Sequence, residues 1–158
     1  MVRVGIGYDA HSLTSGRRLV LGGVEIPFER GLAGHSDADV LAHALIDALL
    51  GAAALKDIGT QFPPSDPKYK DISSITLLRQ VSELLQLKGF RIGNVDATIV
   101  AQRPLLAPFI DQMRQRLSQA LGISSGQIGI KATTSEGLGF TGREEGIAAY
   151  AIVAVEEA

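Results

Sequence analysis

The segment Gly146-Ile-Ala-Ala-Tyr-Ala-Ile-Val-Ala-Val155 decides the fold of this chain, because it is apolar at nearly every position. A strand that is apolar on both sides needs cover on both sides. The rest of the sequence predicts only three helices of useful length, too few to cover both faces of a sheet of this size. We therefore expect one face of this strand to lie in an oligomer interface. The alternative is a central strand buried inside a monomer.

Other segments alternate between apolar and polar or small residues and predict further strands. Residues 2–8 form the first of them, and residues 95–101 and 128–132 form two more. Residues 19–26 predict a hairpin around Gly22-Gly23, because paired glycines tolerate the positive φ angles of a two-residue turn. A glycine shortly before residue 95 indicates a bulge.

Three segments carry apolar residues at helical spacing. The first helix should begin at Ser36 as its N-cap, and the others should cover residues 74–88 and 106–121. Residues 56–72 contain three prolines and predict a long loop of the kind that often serves as a lid over a site. Helices mixed with alternating strands predict an α+β fold with a mixed sheet.

Composition limits the functions open to the chain. Its 158 residues suit a single domain spanning 1–158, and a formal net charge of −2 argues against a nucleic-acid partner. Cysteine is absent, so any metal must be held by histidines and carboxylates. The sequence contains no apolar run of about 18 residues, so it predicts no membrane-spanning helix. Because the first residues also lack a signal or transit pattern, we expect a cytoplasmic protein with no membrane partner.

The histidines and nearby aspartates suggest a metal site. Asp9 and His11 are two residues apart in a predicted strand, so both side chains leave the same face. His43 interrupts an apolar helix and has Asp39 and Asp47 four residues away on either side. One interpretation places Asp9, His11 and His43 around one zinc ion, with Asp39 or Asp47 orienting the His43 ring. The alternative is that all of these are ordinary exposed polar residues.

A glycine-rich segment near the end of the chain needs a separate interpretation. Residues 137–142 match GxGxxG, but only 16 residues follow and they predict a strand, so a dinucleotide-binding fold is excluded. Residues 131–136, with their hydroxyl groups, and the cation of Arg143 favour an anion such as phosphate, with a divalent cation beside Glu136. The alternative is a hairpin with a wide glycine loop.

Together these motifs resemble the 2-C-methyl-D-erythritol 2,4-cyclodiphosphate synthase family. The blocks occur in the order of that family and span nearly the whole chain. They are Gly7-Tyr8-Asp9-Ala10-His11, Gly34-His35-Ser36-Asp37-Ala38-Asp39, Asp57-Ile58-Gly59, Phe62-Pro63-Pro64-Ser65-Asp66, Gly93-Asn94-Val95-Asp96, Lys131-Ala132-Thr133-Thr134 and Gly139-Phe140-Thr141-Gly142-Arg143.

The resemblance implies a fold and an activity. The fold would be chorismate-mutase-like, with helices on the outer face, assembled as a homotrimer around packed sheets with active sites between subunits. The substrate would be 4-diphosphocytidyl-2-C-methyl-D-erythritol 2-phosphate, whose 2-phosphate attacks the β-phosphorus and releases CMP in the non-mevalonate isoprenoid pathway. Two rival functions stay open, a metal-dependent phosphohydrolase and a trimeric ligand-binding protein whose metal is structural.

The resemblance further implies two cations. Asp9, His11 and His43 would hold zinc, and Glu136 would hold magnesium or manganese bridging the substrate diphosphate.

It also implies roles in catalysis and in binding. His35 and Thr134 would stabilise the transition state, and residues 62–66 would form a lid. Residues 101–107 and 132–134 would form the cytidine pocket, and an isoprenoid diphosphate is expected in the cavity on the trimer axis. The residues implied to bind substrate are Ser36, Asp57, Gly59, Phe62, Asp66, Ala101, Gln102, Arg103, Pro104, Leu105, Leu106, Ala107, Ala132, Thr133, Phe140 and Arg143.

Two positions depart from the family pattern. Leu105 stands where many members carry a lysine, and we expect Arg103 to supply that charge. Pro64 stands where an acidic or polar residue is frequent, which should stiffen the lid.

Overall fold

The computed structural model of the protein describes residues 1–158 and contains seven strands. They are β1 (Val2–Ser15), β2 (Leu19–Leu21), β3 (Val24–Ile26), β4 (Arg30–Leu32), β5 (Phe90–Val100), β6 (Ile128–Thr133) and β7 (Gly146–Glu157). Five of them form one sheet in the order β4-β1-β7-β5-β6, in which only β5 and β6 are parallel. The mixed sheet predicted from the sequence is confirmed, and β2 and β3 form the predicted hairpin beside it.

Helices cover one side of this sheet. They are α1 (Val40–Ala52), α2 (Ile58–Gln61), α3 (Ser74–Leu87), α4 (Ile110–Leu121) and α5 (Gly139–Gly142), with single 3₁₀ turns at Pro67–Tyr69, Ala107–Phe109 and Ser125–Gln127. Helix α1 packs on β1 and β7, α3 packs on α1 and β5, and α4 packs on α3 and β6. None of the helices combines the length and the apolar character needed to cross a bilayer. The α+β class is confirmed.

Helix α1 lies at the centre of the core. All of its residues are buried except His43 and Asp47, which are half-buried, and the exposed Gly51. Glycines on β1 allow this close packing, because Gly5 and Gly7 place bare backbone against the turns of α1. The helix is therefore enclosed on nearly all sides, and its only polar side chains are those of His43 and Asp47.

The opposite face of the sheet is apolar and uncovered. Ile6 and Tyr8 of β1 pair with Ile152 and Tyr150 of β7, and these four side chains are between 47% and 69% exposed. Strand β7 is central, as the monomer alternative supposed, yet its outer face has no cover within the chain. An exposed apolar patch of this kind is typical of an interaction surface.

Two boundaries near the site differ from the sequence-based expectation. Strand β1 runs on to Ser15, because β7 pairs with it as far as Ser12 and β4 pairs with it beyond that point. Asp9 and His11 therefore lie within the strand and not at its end. The first helix begins at Val40 and not at Ser36, since Ala38 has a φ of 58°, which a right-handed helix does not allow.

Elsewhere the predicted elements hold with smaller changes. The long loop over residues 56–72 contains α2 and one 3₁₀ turn, and the helix predicted from residue 106 starts with a 3₁₀ turn that includes Pro108. The register of β5 against β7 shifts between Ile92 and Asn94, which confirms the predicted bulge. Gly22 and Gly23 have φ values of 58° and 75°, as the hairpin turn requires.

Candidate metal centre and active site

Strand β1 and helix α1 bring Asp9, His11 and His43 together. The Oδ2 atom of Asp9 lies 2.8 Å from His11 Nε2 and 3.1 Å from His43 Nδ1. The two ring nitrogens are 3.3 Å apart. Asp9 and His11 leave the same face of β1, as their spacing predicted, and that face is the one on which α1 packs. The predicted cluster is confirmed.

Attraction between Asp9 and the histidines shifts the pKa values in this cluster. Burial alone would raise the pKa of Asp9, but hydrogen bonds from His11 and His43 outweigh it and lower that pKa to about 2. Burial opposes charge on His43, but the hydrogen bond and the negative charge of Asp9 outweigh it and raise the pKa of His43. Asp9 is therefore anionic at neutral pH, and the cluster favours a bound cation or a proton on His43.

The donor set fits a divalent metal ion. Two imidazole nitrogens and one carboxylate oxygen, with their ligand atoms all within 4.8 Å of one another, face a common point. Ligands of tetrahedral zinc at about 2.0–2.1 Å would lie roughly 3.3 Å apart, close to the separations observed here. Three protein ligands leave one position open, which is typical of reactive rather than structural zinc sites.

The expected role of Asp39 and Asp47 beside His43 is wrong. Asp39 caps α1 and accepts hydrogen bonds from the backbone N–H groups of Gly22 at 2.9 Å and Gly23 at 2.7 Å. Asp47 accepts the N–H of Ile58 at 2.8 Å, at the start of α2. Helical spacing identified the face shared by these residues, but their carboxylates point to neighbouring backbone groups instead of the imidazole ring.

Two serines, and not the two aspartates, contact the imidazole ring of His43. The Nε2 atom of His43 lies 2.8 Å from Ser74 Oγ and 3.1 Å from Ser36 Oγ. Ser74 begins α3 and is fully buried. Sequence reasoning missed its contact with His43, because no local pattern links two residues 31 positions apart.

The metal cluster opens into a cavity of about 180 Å³. Six predicted site residues line it together, namely His11, His35, Ser36, His43, Gly59 and Phe62. Pro64 of the predicted lid also lines it, and so do Ile58, Tyr69 and Leu77, which had not been assigned to substrate binding.

Residues of the predicted lid form the rim of this cavity. Asp66 caps the 3₁₀ turn at Pro67–Tyr69, and its carbonyl oxygen lies 3.3 Å from His35 Nε2. Asp57 caps α2 and accepts the Thr60 N–H at 3.0 Å. Phe62 packs edge-on against Tyr69 with ring centroids 5.5 Å apart. The predicted lid thus contacts the site through the carbonyl group of Asp66.

Arg17 holds the loop that carries His35 and Ser36. Its guanidinium donates to the carbonyl oxygen of Gly34 at 3.1 Å and to that of Ser36 at 2.8 Å. The side chain of Arg17 therefore spans the loop, although the sequence analysis had assigned Arg17 no role.

A second cavity, of about 120 Å³, gathers the residues predicted for the cytidine pocket. Those that line it are Ala101, Gln102, Pro104, Leu105, Leu106, Ala107, Ala132, Thr133 and Thr134. Arg103 does not line it, because its guanidinium pairs with Glu144 at 2.8 Å and with Glu29 at 3.3 Å. Arg103 therefore does not supply the positive charge that we expected beside Leu105.

The remaining predicted residues lie on the glycine-rich segment. Glu136 is exposed in a left-handed conformation with a φ of 53°, and its N–H donates to Thr134 Oγ1 at 3.2 Å. Phe140 lines a shallow pocket with Tyr8 and Tyr150, and Arg143 pairs with Glu145 at 3.0 Å.

The predicted site is thus divided within one chain. His35 and the metal cluster line the first cavity, whereas Thr134 lines the second, and the two cavities share no lining residue.

Comparison with known proteins agrees with this geometry. The sequence matches the YgbB family over residues 2–156. A 2-C-methyl-D-erythritol 2,4-cyclodiphosphate synthase from Moorella thermoacetica is 65% identical over 152 residues, covering 96% of this chain and 93% of that protein. The enzyme of the same name from Syntrophomonas wolfei is 62% identical, covering 99% of this chain and 100% of that protein.

Solved structures show the same fold. The bifunctional IspDF from Campylobacter jejuni superimposes with a TM-score of 0.96 and 41% identity, covering 100% of this chain, which spans 43% of that longer chain. The CDP complex of IspF from Plasmodium falciparum superimposes with a TM-score of 0.87 and 33% identity, covering 99% of this chain and 96% of that one. The chain therefore belongs to the YgbB family and, with these relatives, to the 2-C-methyl-D-erythritol 2,4-cyclodiphosphate synthases.

Proposed function

We propose that this chain converts 4-diphosphocytidyl-2-C-methyl-D-erythritol 2-phosphate into 2-C-methyl-D-erythritol 2,4-cyclodiphosphate and CMP. An oxygen of the 2-phosphate forms a bond to the β-phosphorus, the bond from that phosphorus to the CMP oxygen breaks, and CMP leaves with the electron pair. This is the chemistry of a phosphorus–oxygen lyase in the non-mevalonate isoprenoid pathway. The observation that carries the proposal is the cluster of Asp9, His11 and His43 at the mouth of a cavity shared with His35 and Ser36.

The electrostatics of the cavity suit this reaction only with a cation present. Nucleophile and leaving group belong to one molecule and both are anionic, so the site must bend the substrate and offset phosphate repulsion. Asp9, whose pKa is lowered to about 2, would repel a diphosphate on its own. The two imidazoles beside it supply the remaining donors that a divalent ion needs.

The metals we propose are zinc at Asp9, His11 and His43 and a magnesium or manganese ion at Glu136. When bound, the two cations polarise the diphosphate and stabilise the negative charge of the departing CMP. No covalent enzyme intermediate is required, because the attacking oxygen belongs to the substrate.

The side chains of the chain bind and orient the substrate. The imidazole of His35 and the hydroxyl of Ser36 face the first cavity and would contact phosphate oxygens and the erythritol chain. Asp57, Gly59, Phe62 and the Asp66 segment would enclose that end of the molecule. The second cavity would take the cytosine ring through backbone groups of residues 101–107 and 132–134, with the Thr134 hydroxyl facing the phosphates.

A homotrimer would complete the site. The two half-sites lie in separate cavities of one chain, and the apolar outer face of β1 and β7 is uncovered. Packing three such faces around an axis would bury them and place the second cavity of one subunit beside the first cavity of the next. Phe140 and Arg143 would then line an axial cavity able to hold an isoprenoid diphosphate.

The decisive experiment is incubation of the purified chain with the cytidyl substrate, zinc and magnesium, followed by ³¹P NMR. We expect CMP and the cyclic diphosphate in equal amounts. A linear product would instead identify a metal-dependent phosphohydrolase.

Asp9→Ala tests the alternative of a purely structural metal. The variant should stay folded, lose zinc and lose at least ~10³ in rate. Asp111→Ala removes an exposed carboxylate of α4 that only approaches Arg114 at 3.5 Å, so it should retain zinc and turnover. An Asp9→Ala variant that unfolds or dissociates would favour the structural role.

A further inference from the structure

Ser74 links the metal cluster to a carboxylate that no part of the proposed reaction uses. Its Oγ atom lies 2.8 Å from His43 Nε2, on the side of the ring away from Asp9. The same hydroxyl donates a short hydrogen bond to Asp37 Oδ1. Ser74 is fully buried and does not line the cavity, so it faces His43 and Asp37 rather than substrate.

The hydrogen-bond directions along this chain of groups follow from proton counting. A serine hydroxyl has one proton, and an ionised carboxylate can only accept. Since Asp37 takes the proton of Ser74, the Ser74 oxygen presents a lone pair to the imidazole. His43 must then carry a proton on Nε2, which leaves Nδ1 to face Asp9 and a bound cation.

Asp37 is itself held firmly. Its Oδ2 accepts the backbone N–H of Ser74 at 3.0 Å and its Oδ1 accepts the N–H of Asp39 at 3.1 Å. Ser73, the N-cap of α3, makes no capping hydrogen bond with its own side chain. Asp37 therefore substitutes for that cap from another loop and ties both the backbone and the hydroxyl of Ser74 to the start of α1.

Ser36 is the competing partner of His43, but its geometry is weaker. Its Oγ lies 3.1 Å from Nε2 and already accepts the Ala38 N–H at 3.1 Å. The Ser36 proton has no committed acceptor, apart from a long 3.5 Å approach to Ser74 Oγ. Because Ser36 lines the cavity, its hydroxyl is free to donate to substrate.

We propose that Asp37 and Ser74 are positioning residues that hold the Nε2 proton and the ring orientation of His43 and so direct Nδ1 to the metal. The effect on metal affinity rests on the proposed zinc site. The hydrogen bond between His43 and Ser74 does not rest on it, because the positions of Ser74 and Asp37 define that bond without a metal ion.

The test compares Ser74→Ala with Ser82→Ala. Both serines lie on α3, and Ser82 donates only to the Leu121 carbonyl oxygen at 3.2 Å, away from the site. In the zinc-loaded parent protein, proton NMR with ¹⁵N-labelled histidine should show an Nε2 proton of His43 protected from exchange with water. Ser74→Ala should lose that signal and bind zinc roughly 10–100-fold more weakly in competition with a chelator. Ser82→Ala should retain both.

Three outcomes separate the possibilities. If Ser74→Ala keeps the protected signal and the zinc affinity of the parent, the proposal is wrong. If Ser36→Ala abolishes the signal and Ser74→Ala does not, Ser36 is the acceptor and the proposal is again wrong. If the parent binds no zinc, the metal proposal fails, and the Nε2 signal in the metal-free protein still decides the hydrogen bond. Thermal unfolding of each variant identifies any that has merely lost its fold.

Discussion

Gly7 lies against Ala44 so closely that a β-carbon on Gly7 would come within 1.8 Å of the Ala44 carbonyl oxygen. Ala44 follows His43 in α1, and Gly7 precedes Asp9 by two residues on the same face of β1. This approach of helix to strand sets the distance between His43 and Asp9. The metal cluster therefore depends on a glycine that carries no chemistry of its own.

Replacing that glycine should separate the two elements. Gly7→Ala forces a methyl group into the helix backbone, so α1 must move away from β1, at a cost of roughly 3 kcal/mol of stability. We expect weaker zinc binding as well, because the ligands are drawn apart. Urea unfolding and a zinc titration measure the two effects.

A glycine of α1 itself provides the control. An added β-carbon at Gly51 meets nothing within 4 Å, so Gly51→Ala should raise stability by about 0.5–1 kcal/mol through helix propensity. Equal stability of Gly7→Ala and the parent would contradict the close approach.

Asp39 should give the folded protein a characteristic pH dependence. Burial, with the charge of Asp37, raises the pKa of Asp39 to about 6 in the fold, against 3.8 for the free side chain. Between these values the folded state holds the proton and the unfolded state has released it. Stability contributed by Asp39 is thus full below about pH 4 and is lost as pH rises toward 6.

Asp39→Asn removes this titration. Its free energy of unfolding, measured in urea from pH 4 to 7, should fall less steeply with rising pH than that of the parent. The variant will be less stable throughout, because an amide cannot accept from both Gly22 and Gly23 as the carboxylate does. Parallel pH profiles would contradict the raised pKa.

Local patterns in the sequence predicted much of the fold and the three residues of the metal cluster. The hairpin at Gly22-Gly23 and helix α3 are specified by neighbouring residues, so their bounds could be predicted almost to the residue. Asp9 and His11 share a face because side chains alternate along any strand. His43 was recognisable as a polar residue in an otherwise apolar helix.

What the sequence could not predict depends on contacts between distant residues. The start of α1 shifted to Val40 because Asp39 bonds to the hairpin and Ala38 adopts a positive φ. The partner of His43 is Ser74, brought in by packing of α3 on α1. Arg103 is drawn away from Leu105 by Glu144, which is far along the chain. No periodicity in the sequence reports such contacts.

Arg17 should affect catalysis through the loop it spans. Arg17→Ala removes two hydrogen bonds from a charged donor to the carbonyl oxygens of Gly34 and Ser36, so His35 and Ser36 lose their fixed position. We expect kcat/KM to fall roughly tenfold with zinc affinity unchanged. Lysine cannot reach both carbonyls, and Arg17→Lys should recover little.

The adjacent arginine is a matched control for steady-state kinetics. Arg18 is largely exposed and only approaches Glu25 at 3.7 Å, so Arg18→Ala should leave kcat/KM unchanged. A loss of the same size in both variants would indicate a general charge effect instead of loop positioning.

Glu136 should affect binding of the second cation and leave binding of zinc unchanged. Its carboxylate lies outside the Asp9 cluster, so Glu136→Ala should keep zinc and lose the stimulation of turnover by added magnesium or manganese. Metal analysis and a magnesium titration of activity check both statements. Glu83→Ala, at an exposed position of α3, should respond to magnesium like the parent. Undiminished magnesium stimulation in Glu136→Ala would contradict the assignment.

The uncovered sheet face provides the test of the trimer. Ile152 is 54% exposed on that face and pairs with Ile6, so Ile152→Asp would place a charge where three faces are proposed to meet. An unpaired buried charge is costly. We expect the variant to sediment as a monomer and to lose turnover, because the half-sites no longer meet. Its zinc should remain, since Asp9, His11 and His43 come from one chain.

Leu87→Asp is the appropriate comparison for Ile152→Asp. Leu87 is 86% exposed at the end of α3, away from the sheet face, so the same charge there should alter neither mass nor activity. If Ile152→Asp stayed trimeric and active, or if the parent were an active monomer, the division of the active site between subunits would be wrong. Loss of zinc together with dissociation would show that the metal cluster depends on assembly, which the separation of the two cavities argues against.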